Sequence, residues 1–320
     1  MCLVALAIDH DRRFPLVIAA NRDEFFKRPT ARLGWWTPES GGPAILGGRD
    51  LEGGGTWLGL TAEGRLALLT NVREPARHDP ASPTRGRIVP DWLSGRERTD
   101  RFWMRTALSG YNGFNLVAFD FRLGECFFAS NDGSHPRRLD SGIHGVSNAS
   151  LDTPWPKVQA LKASLREAID EATSLDTLIA PLFDALADRA EAPDEDLPHT
   201  GVPHEWERRL SAAFIRTPDM TYGTRCSTLV VTEKVNRHLV THVLERTFSA
   251  TGGVALLRRS TLKNWPPRYA VDPQASFTPS EQEAVSESEL PETMPAKRVR
   301  TLLKPDPARK RRRVSGVTNA

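Results

Sequence analysis

The sequence predicts an α+β fold. Three observations carry that prediction. Strand-like runs come in pairs joined by short polar turns, a block of helical periodicity separates the third pair from the fourth, and the chain is long enough to bury a core. It has 320 residues, 39% of them hydrophobic and 26% charged, an ordinary globular composition.

The elements follow in order. "CLVALAI" and "FPLVIAAN" flank the polar turn "DHDRR" and read as a first hairpin. "TWLGLT" and "RLALLTNV", joined across Ala62-Glu63-Gly64, read as a second. "YNGFNLVAFDF" and "ECFFAS", joined across Arg122-Leu123-Gly124, make a third. "TLVVTE" and "HLVTHVLERTF", joined across Lys234-Val235-Asn236, make a fourth. Between them, "TPWPKVQALKASLREAID" predicts a helix capped by Thr153 with Pro154 in its first turn, and apolar Val158, Leu161 and Leu165 on one face. "SLDTLIAPLFDALAD" predicts a second helix capped by Ser174, with Pro181 as a kink. Short helices are expected in "RIVPDWLSG" and "EWERRLSAAFI".

Residues 1–250 read as one domain, and 251–320 as a mostly disordered charged tail rich in Pro and Ser. Of 43 Lys/Arg and 40 Asp/Glu in the chain, 13 and 7 lie from residue 251 on, so the basic pI belongs to the tail and the domain is slightly acidic. A basic tail ending in "ARKRRRV" does not make the fold a nucleic-acid binder, and a nucleic-acid partner is not expected. No apolar run approaches the ~20 residues that span a bilayer. Leu3–Ile8 is too short for a signal segment, has no basic residue before it, and meets Asp9 at once. The three cysteines, Cys2, Cys126 and Cys226, are too few and too scattered for a disulfide framework. A cytoplasmic protein is the expectation.

Cys2 raises the chemical question. A free cysteine is commonly a small buried apolar residue, or it ligates a metal, or here it becomes the first residue once Met1 is removed. Metal binding has little support: there is no Cys-x-x-Cys, and His238 and His242 lie in an alternating, strand-like run. The third reading yields a compact catalytic unit. An α-amine with a reference pKa of ~7.7–8 lies a few bonds from a thiol near ~8.5 and can take its proton without a distant histidine. Polar residues at the ends of apolar runs fit that reading. Arg22 is expected to hold the surroundings positive and lower the thiol pKa, and Asp23 to orient the amine. Asn71 ends another apolar run and suits an oxyanion donor. Asn148 precedes a helix, and Arg225 starts a strand. Each taken singly also reads as a turn, cap or surface residue.

Together, "MCLVALA", "PLVIAANRDEFFKRPT", "ILGGRDLEGGGTWLGLTAEGRLALLTNVRE", "GVSNASLDTPWPKV" and "YGTRCSTLVV…ERTF" resemble the NRDE family, also known as the transport-and-Golgi-organisation protein 2 family. The resemblance covers roughly residues 1–250 and implies a four-layer αββα sandwich like that of N-terminal-nucleophile hydrolases. It is also similar to the choloylglycine hydrolase and penicillin V acylase group. That likeness implies Cys2 as nucleophile, Arg22 and Asp23 as the second-strand pair, Asn71 as the oxyanion amide, and Asn148 and Arg225 completing the site. Those hydrolases read Arg-Asn-x-Asp on the second strand where this chain reads Asn-Arg-Asp-Glu, which leaves Asp23 and Glu24 both open as the acid. The resemblance implies either an amide hydrolase needing no cofactor or a carrier of haem, acyl-CoA or another acyl ligand. No metal is implied.

The glycine-rich "GGRDLEGGGTWLGL" lacks the spacing of a phosphate loop, and its glycines are expected to serve tight turns with positive φ. Trp35, Trp36 and Trp57 are candidate pocket walls. His144 and Cys226 read as structural residues.

Overall fold

The computed structural model describes residues 2–95, 97–133, 135–251, 253–267 and 288–290. The chain runs β1 (Cys2–Ile8), β2 (Leu16–Phe25), β3 (Thr30–Trp36), β4 (Ile45–Asp50), β5 (Leu58–Thr61), β6 (Arg65–Asn71), α1 (Ile88–Ser94) and α2 (Thr99–Ala107). It continues through β7 (Phe114–Asp120), β8 (Glu125–Ser130), β9 (Arg137–Arg138), β10 (Gly142–Val146), α3 (Pro156–Glu171), α4 (Leu175–Leu186) and α5 (His204–Arg209). Last come β11 (Tyr222–Val235), β12 (His238–Phe248), β13 (Val254–Lys263) and β14 (Ser288–Leu290). The strands form two antiparallel sheets, ordered β10-β1-β2-β11-β12-β13-β14 and β3-β4-β5-β6-β7-β8-β9.

Side-chain alternation builds the layers. On β1, Val4 and Leu6 face inward and meet Leu60, Leu66, Leu68 and Phe119 of the other sheet. Leu3, Ala5 and Ala7 face outward and pack under Val158, Leu161, Leu165 and Leu182 of α3 and α4. The outer face of the second sheet, including Leu116 and Ala118, is covered by Ile88, Trp92 and Phe102 of α1 and α2. The result is the expected α+β, four-layer αββα sandwich. All four hairpins read from the sequence are present, and their registers place Cys2 opposite Arg22 and Arg22 opposite Cys226.

Two expectations need correction. The boundary at residue 250 falls inside the fold: β13 pairs with β12 from Phe248↔Val254 to Val240↔Lys263, and Trp265 is 2% exposed. The Trp265 indole donates to Thr61 O at 2.9 Å, stitching this segment to the second sheet. The charge of the strand had hidden it, because Arg258 and Arg259 read as tail residues. In the fold, Arg258 donates to Leu33 O at 2.7 Å and Arg259 bonds His242. The rest of the expected tail, apart from Ser288–Leu290, lies outside the described residues. The second correction concerns α3, which starts at Pro156 with Trp155 as its N-cap rather than at Thr153. Proline at the first helical position gives up an N–H that would have no intrahelical partner. The Thr153 hydroxyl instead donates to Ser150 O at 2.8 Å. Among the described residues, no helix is long and apolar enough to cross a membrane.

β10 matters because it delivers Ser147 and Asn148 beside Cys2, and Asp152 fixes its exit. Asp152 accepts from Gly145 N at 2.8 Å, from Lys162 Nζ on α3 at 2.6 Å, and pairs with His144 Nδ1 at 3.2 Å. Burial opposes the charge, but these bonds hold the Asp152 carboxyl down at about 2. A carboxyl depressed in the folded state stabilises the fold above its ordinary value, and that stabilisation is lost as pH falls toward the folded value. With side-chain exposure near a third, screening leaves roughly 1 kcal/mol. The stability advantage of the natural protein over Asp152→Asn, read as urea midpoints, should therefore shrink as pH falls from about 5 to about 2.5. A constant advantage across that window would refute the assignment.

Candidate active site

Cys2 opens β1 at one end of the sandwich, where it lines a cavity of about 530 Å³. Across β2, the Arg22 guanidinium lies 3.0 Å from Asp50 Oδ2 and 4.4 Å from the Trp57 ring centre. Arg28 reaches Asp50 Oδ2 at 2.7 Å and Glu52 Oε1 at 2.7 Å. Asp50, on β4, thus binds two arginines at the cavity floor. Their donors hold its carboxyl low against the burial that opposes them.

The turn after β4 depends on close approach more than on positive φ, contrary to expectation. Of Gly47, Gly48, Gly53, Gly54 and Gly55, only Gly54 has a positive φ, at 70°. A Cβ at Gly48 would overlap the Trp57 ring, and one at Gly55 would overlap the Gly86 carbonyl. The glycines bring Trp57 and the 84–86 segment against the cavity. Trp57 walls it as expected. Trp35 is 43% exposed and Trp36 lies under Arg49; neither is on its wall.

Asp23 points to the opposite face of β2 from Arg22. It is fully buried, and its Oδ1 accepts from Thr224 Oγ1 at 2.7 Å. Burial pushes its carboxyl up, and Lys157 is the foremost charge opposing that shift. Lys157 of α3 is itself buried and donates to Leu210 O at 2.7 Å. Burial, then Arg73, bring its ammonium down to about 8. Glu24 behaves differently: it accepts from Phe25 N at 2.9 Å and sits 3.8 Å from Arg22 and 3.9 Å from Arg28.

Burial also pushes the Cys2 thiol up, outweighing the opposing effect of Arg22. The expected thiolate stabilisation by Arg22 is therefore the smaller effect. Chemistry at this sulfur needs a base at the moment of attack rather than a standing thiolate.

Asn71, at the end of β6, lines the cavity with Cys2. Asn148 does not. Its Nδ2 donates to Asn71 O at 2.8 Å, so it holds the backbone that presents Asn71. The neighbouring Ser147 hydroxyl donates to Cys2 O at 3.0 Å. Arg225 is also off the cavity wall. It sits at the register shift between Thr224 and Cys226, and its Nη1 donates to Phe25 O at 2.8 Å and Arg28 O at 3.0 Å. There it clamps the β2–β3 turn, which carries Arg28. The bulge puts it there, and bulges are not legible in one sequence. Cys226 is buried.

Several contributors were not read from the sequence. Arg28, Asp50, Ser147 and Lys157 lie within the stretches that carry the resemblance, but nothing in those stretches marks them for a role, and Arg85 lies outside them. Only the fold brings them together.

Residues 1–250 match the family described as "Transport and Golgi organisation 2". The human Transport and Golgi organization protein 2 homolog is 33% identical over 251 residues, covering 73% of this chain and 89% of the human protein. The mouse homolog is 32% identical over 255 residues, covering 75% of this chain and 91% of its own. Among solved structures, a Caenorhabditis elegans N-acylethanolamine-hydrolyzing acid amidase ortholog aligns with a TM-score of 0.41 at 11% identity, over 72% of this chain and 92% of that one. With four-fifths of its length matched from the first strand through β12, and with relatives covered almost end to end, the chain belongs to the Transport and Golgi organisation 2 family.

Proposed function

We propose that the protein is an N-terminal-nucleophile amide hydrolase in which Cys2, freed by removal of Met1, attacks an acyl amide. The observation that carries this reading is the position of Cys2: first in a strand paired on both sides, on the wall of the main cavity, with Arg22 opposite and Asn71 facing the same space.

The α-amine of Cys2 takes the thiol proton as Sγ attacks the carbonyl carbon. The oxyanion is held by the Asn71 amide and a backbone N–H. The C–N bond then breaks, and the same amine returns the proton to the leaving nitrogen, leaving a thioester on Sγ. Water attacks the thioester as the amine accepts its proton. The acid leaves and the thiol is restored. Asp23 takes the acid's role of orienting the amine, because it is buried beside Lys157 and Thr224, while Glu24 is engaged with Phe25 N and the two arginines. Asn148 and Arg225 act as positioning residues. The chemistry calls for no metal or cofactor.

Intact mass and iodoacetamide labelling test the core of the reading. The mature protein should lack Met1 and take up the label at Cys2. Retention of Met1, or an unreactive Cys2, would sink it. Asn71→Ala should then lower kcat for an acyl amide by about 10²–10³-fold with little change in KM. A change confined to KM would assign Asn71 to ordinary binding instead.

The alternative, a carrier of haem or acyl-CoA in the same cleft, predicts binding that survives Cys2→Ala with no turnover by the natural protein. The cavity walls carry many charged groups, among them Arg22, Asp23, Glu24, Asp50 and Arg85, which suits a polar ligand better than a flat apolar macrocycle.

A further inference from the structure

The cavity that holds Cys2 continues into a second of about 280 Å³, and the two share His78, Asp79, Ser82, Arg85 and Asn112. Arg85 stands at the junction. Its Nη1 donates to Gly113 O at 2.7 Å, and it has no ion-pair partner among the described residues. The other two arginines on the cavity wall are already neutralised: Arg22 by Asp50, Arg28 by Asp50 and Glu52. A guanidinium carries five N–H donors in a fixed fork, and a carbonyl takes one of them here. Burial pushes the Arg85 guanidinium down, and Glu24 and Cys2 are the groups whose charge opposes this, which places Arg85 within electrostatic reach of the nucleophile.

The sign and size of the missing partner follow from the walls. A half-buried cation with spare donors calls for an anion. Glu24 and Asp79 line the same space. They disfavour a dianion such as a phosphate or phosphonate, and leave a singly charged carboxylate as the better match.

We propose that Arg85 is the carboxylate anchor of this site: the substrates are acyl amides bearing a carboxylate, held by the guanidinium at the junction of the two cavities while the amide carbonyl lies at Cys2. The substrate class rests on the hydrolase reading above, but the anchor itself requires only binding.

The test uses full-length protein carrying Cys2→Ala, so that ligands stay intact, and isothermal titration with three probes. These are N-hexanoylglycine, its neutral primary amide N-hexanoylglycinamide, and the dianionic N-hexanoylaminomethylphosphonate. With Arg85 present, the carboxylate should bind about tenfold more tightly than the neutral amide, as expected for one charge-assisted pair. It should also bind more tightly than the phosphonate. Adding Arg85→Gln should weaken the carboxylate by about tenfold and leave the neutral amide within about twofold, and Arg85→Lys should restore part of the loss. Equal affinity for acid and neutral amide, tighter phosphonate binding, or no binding of any probe overturns the anchor. If Arg85→Gln fails to fold, the comparison of probes on the Arg85-containing protein decides by itself. Turnover by the natural protein separates the two readings. Carboxylate preference without hydrolysis keeps the anchor and rejects the hydrolase. Hydrolysis of acid and neutral amide alike, unchanged by Arg85→Gln, does the reverse.

Discussion

Cys2→Ala is expected to reduce acyl-amide turnover by roughly four orders of magnitude or more, to the background rate, while the protein keeps its fold. The size follows from the role: a covalent nucleophile has no substitute, and its loss removes the pathway rather than slowing a step. The fold should survive because Cys2 is at the strand's head and the backbone contacts there are independent of sulfur. Its carbonyl accepts from Ser147 Oγ, and its strand is held by β2 on one side and β10 on the other. Cys2→Ser separates geometry from reactivity. A hydroxyl in place of the thiol should keep ligand binding and retain at most a small residue of activity, since the amine must now deprotonate a far weaker acid. Steady-state kinetics on purified, Met1-free protein measure both. Unaltered turnover by Cys2→Ala would end the nucleophile assignment.

Glu207→Ala is expected to cost about 3–5 kcal/mol of folding stability, among the largest losses available to a single change in this chain. Glu207 of α5 and Arg73 after β6 are 3% and 4% exposed and meet at 2.7 Å. The other carboxylate oxygen accepts both Thr200 N and Thr200 Oγ1 at 2.7 Å. Removing the carboxylate strands the Arg73 guanidinium in a buried site, where burial already pushes its pKa down and Glu207 is the main group opposing that shift. For a domain of this size the loss should lower Tm by roughly 6–20 °C. Urea unfolding measures it directly, and a loss below about 1 kcal/mol would show the pair to be solvated. The double change Arg73→Met with Glu207→Leu should recover much of the stability, because it removes both charges together. Turnover should return with the stability, because the link to the oxyanion amide runs through the Arg73 backbone N, which donates to Asn148 O at 2.8 Å, and through Asn148 Nδ2, which donates to Asn71 O, and the double change leaves both bonds in place.

The parts of the site that were legible in the sequence are those written within one strand or one hairpin. Cys2 and Arg22 lie on neighbouring strands joined by a short turn, so their pairing follows from hairpin register. Asn71 ends a strand whose alternation is plain. The parts that were not legible depend on segments far apart in the chain. Asn148 and Arg225 both read as site residues until β10 is seen to pair with β1 and set Asn148 on the Asn71 carbonyl, and until the bulge in β11 turns Arg225 onto the Phe25 and Arg28 carbonyls. Lys157 looks like one more helix lysine, yet it is buried against Leu210 O and beside Asp23.

By itself, then, the sequence determined the four hairpins, the helices beneath them, the α+β class and a cysteine at the head of a strand, because alternation, turn residues and helical periodicity are local properties of the chain, while the four-layer αββα arrangement was implied by the family resemblance. Tertiary structure alone decided that the fold runs on through Trp265, that Asp50 gathers Arg22 and Arg28, and that Arg85 reaches the nucleophile's cavity without a carboxylate partner among the described residues. Those outcomes rest on burial and long-range pairing. Whether a charge is neutralised depends on which distant segment packs against it, and no window of neighbouring residues holds that information.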